Sequence, residues 1–210
     1  MSMNKILILS ISLLYMGCSS HSSQAKNSAL PDDFSDNLIN SGVKSWSFEK
    51  KDMLLDSGKI VFTSRINELA SKEIISKLLY LDGKVGVIDL YLRTTGGWMN
   101  DAFSIIDIMH SMRTPVNVHA MGLCESAGSM ILLGATGKRY AYANSDIVLH
   151  FNRDTDNDNY SIEKINRVRF ENLYKTRSKL PADWYPLTGD RRLHLNAQEA
   201  LSLGIIDSVK

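Results

Sequence analysis

A chain of 210 residues, 44% hydrophobic and 22% charged, has the length for one domain with a sizeable core and a short appendage. Its formal net charge of +1 gives no argument for nucleic acid or an anionic surface as partner, and no nucleic acid is expected. The first predicted element is a leader: Lys5 is followed by the apolar run Ile6 to Met16, far short of the roughly 20 residues that span a bilayer. Gly17-Cys18 and the polar stretch Ser19 to Ser23 come next, a succession that resembles a bacterial lipoprotein signal. The expectation is a leader over residues 1–17, with Cys18 lipidated, followed by a polar tether over 18–45 and one domain over 46–210. Such a chain is exported and held by lipid at a bacterial membrane, periplasmic or on the outer surface. With Cys18 modified, Cys124 has no partner, and it reads as a small buried apolar residue.

From Lys59 onward, strand-like and helix-like segments alternate. A short strand is predicted at Ile60-Val61-Phe62, then a helix with Ile66, Leu69, Ala70, Ile74, Leu78 and Leu79 at helical spacing. Val85 to Leu92 reads as a strand covered on both faces. A helix over 100–112 carries Phe103, Ile106, Met109 and Met112 as its stripe. A strand over 115–121, a helix over 126–135 and a strand over 147–151 follow. The charged helix over 161–179 has Ile162, Ile165, Val168, Phe170 and Leu173 as its apolar members. Asn196 and Glu199 have capping-box spacing at the last helix, which stops at Gly204 before a closing strand begun by Ile205-Ile206. This order predicts an α/β fold with a mostly parallel sheet flanked by helices.

Four segments have the residue types that chemistry needs. Thr94-Thr95-Gly96-Gly97 leaves a strand through paired glycines, which bare the backbone N–H groups. In Gly122-Leu123-Cys124-Glu125-Ser126-Ala127-Gly128, a strand-to-helix junction puts Ser126 at a helix N-terminus, where negative charge is favoured. Ser126 there is either a nucleophile with the Ala127 N–H as an oxyanion donor, or a helix cap. His150 ends an apolar strand, a common place for catalytic groups in open α/β sheets. Thr188-Gly189-Asp190 offers a carboxylate that can orient an imidazole. Metal-ligand spacings and phosphate-binding loops are not found, so cofactor-free nucleophilic or acid–base chemistry is expected.

In order, these segments resemble the Clp protease proteolytic subunit over about residues 58–209. Thr94-Thr95-Gly96-Gly97 stands for the family's Ser-Pro-Gly-Gly, and Gly122 to Gly128 for its Gly-x-x-x-Ser-x-Gly. Gly137-Lys138-Arg139-Tyr140, Asn144-Ser145, His150 and Ala197 to Asp207 complete the series. The resemblance implies a Clp/crotonase-type fold, Ser126 as nucleophile, His150 as base, and an oxyanion hole of the Gly97 and Ala127 N–H groups. It also implies a peptide or unfolded protein as substrate and assembly into homo-oligomeric rings. Three departures go with it. The family's catalytic Asp falls on Thr188, with Asp190 and, less well placed, Asp183 as substitutes. The segment from His150 to Thr188, which includes the helix that pairs the family's rings, is shorter. An exported chain would also lack the family's ATP-driven unfoldase. Three alternatives stay beside this reading: a Ser–Lys dyad using Lys138, a silent binding or scaffold lipoprotein, and an acyl-CoA enzyme of the crotonase type.

Overall fold

The structure is a computed structural model and describes residues 53–150, 160–181 and 192–210. Its frame is a seven-stranded sheet among the described residues, with β1 (Lys59–Phe62), β2 (Ile88–Thr94), β3 (Val116–Glu125), β4 (Arg139–Ala141) and β7 (Ser208–Val209) in that spatial order. All these neighbours are parallel. β5 (Asp146–Leu149) adds parallel to the far half of β3, and β6 (Leu193–Asn196) pairs with β5 antiparallel. The ten-residue β3 therefore divides its edge: Val118 to Ala120 faces β4, and Leu123 to Glu125 faces β5. This is the mostly parallel α/β fold expected.

The helices are α1 (Glu68–Leu81), α2 (Met99–Ser111), α3 (Ala127–Leu133), α4 (Tyr160–Arg177) and α5 (Ala197–Ser202). α1 starts where Asn67 accepts from the Ala70 N–H. Its end is tied to that of α2, because Asp82 accepts from the N–H groups of Arg113 and Thr114. Those bonds to the ionised form hold the Asp82 carboxyl below its usual range. At α5 the capping box forms as predicted: Asn196 accepts from Gln198 and Glu199, and Glu199 accepts from the Asn196 N–H. Ile60, Leu90, Val118, Ile74, Ile105, Met130 and Ile131 share one core.

Several expectations change. β2 is not covered on both faces, because its burial alternates with the pleat. Leu90 and Leu92 enter the core, while Asp89, Tyr91 and the exposed Arg93 point the other way. On that second face His119 stacks between Tyr91 and Tyr140, at ring separations of 4.5 and 4.7 Å, and its Nε2 lies 2.8 Å from Asp89. Leu69 and Leu79 on α1 are exposed, as are Ile165 and Val168 on α4. The buried side of α4 is set instead by Phe170 and Tyr174, one turn apart. Ile205 and Ile206 are buried in the turn before β7 rather than in the closing strand. β3 runs four residues farther than predicted, to Glu125.

Candidate active site

The pairing of β3 with β5 assembles the site. Glu125 lies opposite Val148, and the Ser126 N–H donates to the Val148 carbonyl at 2.9 Å, two residues before His150. On the other side of β3, Thr94 lies opposite Cys124, which brings the Gly96-Gly97 loop alongside Ser126. Ser126 is therefore flanked by the glycine loop and by the end of β5.

Its backbone is unusual. Ser126 has φ 55° and ψ −119°, and among the described residues it is the only non-glycine with positive φ. Such a conformation is costly and is held only by its surroundings. Its side chain makes no capping hydrogen bond to α3, so the reading of Ser126 as a helix cap does not hold. The hydroxyl sits half-buried at the mouth of the helix instead. Beneath it, the Ser129 hydroxyl donates to the Ser126 carbonyl at 2.6 Å, and the Tyr174 hydroxyl lies 2.7 Å from Ser129 Oγ. Because the Ser129 proton is used on Ser126, Tyr174 donates to Ser129. Burial pushes the Tyr174 phenol up, which keeps it a neutral donor. A chain of hydroxyls thus ties α4 to the strained turn.

The glycine loop is fixed by β1's follow-on segment. Ile66 N–H donates to Gly96 O at 2.9 Å and Trp98 N–H to Ile66 O at 3.1 Å, forming a parallel bridge with Gly97 in the middle. In such a bridge the N–H of the middle residue points away from its partner. A side chain at Gly96 would meet Ser126 Cβ at 2.5 Å and Glu125 O at 2.8 Å, so only hydrogen fits there. Ala127 opens α3, where the first N–H groups have no intrahelical acceptor. The Gly96-Gly97 loop and the first turn of α3 thus both border Ser126.

His150 is buried just past β5. Its Nε2 is 3.6 Å from Glu125 Oε1. Arg192 Nη1 approaches that same oxygen at 2.6 Å. Sequence reasoning passed over Glu125, and the only signal for it was a carboxylate beside Ser126 in a strand otherwise apolar at that end. Thr188, Asp190 and Asp183 lie outside the described residues.

Cys124, Lys138 and two further histidines have structural places. Cys124 is fully buried, and burial pushes its thiol up to about 12, which removes it as a competing nucleophile. His110 contacts Gly134 O, and His194 pairs with Asp146. The Lys138 N–H binds Asn117, at the opposite end of β3 from Ser126. Nine residues of extended strand separate them by roughly 30 Å, so Lys138 is no dyad partner. Among the described residues no cluster of His, Cys, Asp and Glu could hold a metal ion, and no helix is long and apolar enough to cross a membrane.

The sequence profile of the Clp protease family matches residues 43–210. The chain belongs to the Clp protease family. It is 28% identical over 173 residues to the ATP-dependent Clp protease proteolytic subunit 1 of Bacillus cereus, spanning 78% of this chain and 90% of that protein. Its fold is similar to the crystal structure of the ClpP protease catalytic domain from Plasmodium falciparum, with a TM-score of 0.70 and 26% identity. That superposition covers 80% of this chain and 94% of the other. The profile match spans every described strand from β1 to β7.

Proposed function

We propose that the chain is a serine-type endopeptidase that hydrolyses peptide bonds of small or unfolded polypeptides. The observation that carries this reading is the strained, uncapped Ser126, set between the Gly96-Gly97 loop and the strand that leads to His150. In the reaction, Ser126 Oγ attacks the substrate carbonyl carbon while His150 takes the hydroxyl proton. The N–H groups of Gly97 and Ala127 hold the oxyanion, and His150 then protonates the leaving amine. Water attacks the acyl-enzyme by the same path, and Ser126 regains its proton. Catalytic hydrogen bonds often tighten only on substrate binding, so the contact of His150 with Ser126 is expected to be completed in the complex.

The test is labelling of the full chain by a fluorophosphonate probe. The expected result is labelling of wild type, none of Ser126→Ala, and at least a hundredfold slower labelling of His150→Ala. A folded wild-type protein that never labels sinks the peptidase reading and puts a silent scaffold in its place.

The reading extends to the chain's surroundings. Cys18 is the lipidated first residue of the mature protein, residues 18–45 are its tether, and the domain works without an unfoldase, as a homo-oligomer. What supports the anchor is the apolar run ending in Gly17-Cys18. On expression in a bacterium, the wild-type chain should partition into detergent and Cys18→Ala into the aqueous phase; equal partition of the two would remove the lipid.

A further inference from the structure

The residue before the nucleophile is a buried acid, and a buried carboxylate is costly unless something offsets it. Alternation along β3 sends Cys124 into the core and Glu125 to the opposite side of the sheet. Val148 is its partner across the ladder, and His150, two residues on, keeps that side. The β5–β6 register carries this further, since Val148 lies opposite His194, which sets Arg192 opposite His150. Glu125 Oε1 thus meets two groups: Arg192 Nη1 at 2.6 Å and His150 Nε2 at 3.6 Å.

We propose that Glu125 is a positioning residue for His150, a carboxylate held by Arg192 that fixes the imidazole and offsets the charge it acquires. The inference rests on the peptidase reading for its role in catalysis, but not for the ion pair itself. When His150 takes the Ser126 proton it becomes an imidazolium, and an anion already in place 3.6 Å away stabilises that form without reorganising. Arg192, on the same oxygen, has a second effect. It anchors the Glu125 carboxylate at 2.6 Å, so the oxygen that faces the ring is held in place. Arg192 is more than half exposed, so the clamp comes from the solvent side, while Glu125 and His150 are nearly closed to water.

The charges facing His150 among the described residues are Glu125 from β3 and Arg192 from the approach to β6. The His194–Asp146 pair lies farther along the same ladder. Opposite charge favours an ionised imidazole and like charge disfavours it. Removing Glu125 should therefore lower the pH at which His150 titrates, and removing Arg192 should raise it. Loss of packing would not split the two variants in opposite directions.

The experiment is a histidine-detected NMR titration of the full chain, with His150 assigned from the signal lost in His150→Ala, beside fluorophosphonate labelling of the same samples. Glu125→Gln should move the His150 midpoint down by about one pH unit and slow labelling about tenfold. Arg192→Ala should move it up, and Glu125→Asp should restore most of the wild-type midpoint. Midpoints that stay put, or move the same way in Glu125→Gln and Arg192→Ala, overturn the proposal. If the midpoints split as expected but wild type does not label, the ion pair stands and the peptidase reading falls.

Discussion

Replacing Gly97 by alanine is expected to cut fluorophosphonate labelling of Ser126 at least a hundredfold, the scale of losing one oxyanion donor. The reason is geometric. Gly97 has φ 151°, and a Cβ there would lie 1.9 Å from the Ile66 carbonyl oxygen and 2.8 Å from its carbon. Both are backbone atoms and no side chain can swing aside, so the bridge to Ile66 must open. With it go the Ile66–Gly96 and Trp98–Ile66 hydrogen bonds, which hold the Gly97 N–H in place. Gly83→Ala is the control: it also has positive φ, but an added Cβ meets nothing within 4 Å. Its cost should be about 1–2 kcal/mol of stability, with labelling near wild type. Equal loss of labelling in both variants would remove the Gly97 N–H from the site.

The second large effect is on stability. Arg139→Ala should destabilise the domain by about 3 kcal/mol, read by denaturant unfolding. Its guanidinium reaches both oxygens of Asp207, at 2.6 and 3.2 Å, and the carbonyls of Arg177 and Gly204. One side chain thus joins β4, the end of α4 and the turn before β7. Cutting it leaves the Asp207 carboxylate with only the residue-139 N–H among these donors and removes the Arg139 donor from two carbonyls together. Hydrogen bonds and charge from Arg139 outweigh the desolvation of Asp207 and hold its carboxyl below the usual carboxylate range. A depressed folded value gives stability that is present above the unfolded value, near 3.9, and lost as pH falls through the lower folded one. The gap between wild type and Arg139→Ala should therefore be full at neutral pH and narrow in acid below about 4. A gap that does not change with pH would mean that Asp207 contributes nothing through its charge.

The fold was legible where pattern and physics agree. The alternation of strands with helices, and the cap at Asn196 with Glu199 three residues on, needed only local rules. The order of Gly96-Gly97, Ser126 and His150 was also readable, and the structure brings those segments to one strand end. Helix faces were less readable. Leu69 and Ile165 have the right spacing yet are exposed, since an apolar side chain does not by itself declare which face is inner. The second face of β2 was hidden because Tyr91 and Asp89 sit in a run that is otherwise mostly apolar. β6, four residues on an edge, left no period to detect. Glu125 was least visible of all, since its neighbours His150 and Arg192 are 25 and 67 positions away in the chain.

The divided edge of β3 has a consequence for how the enzyme would fail. Strand β3 is the spine of the sheet, and Ser126 is its immediate continuation, with its amide hydrogen bonded across to β5. Ser126 is thus not carried on a detachable loop, and the sheet cannot fray there without the candidate site fraying too. Heat should silence this protein abruptly, at the temperature where the sheet melts, rather than by a gradual loosening that leaves the body intact.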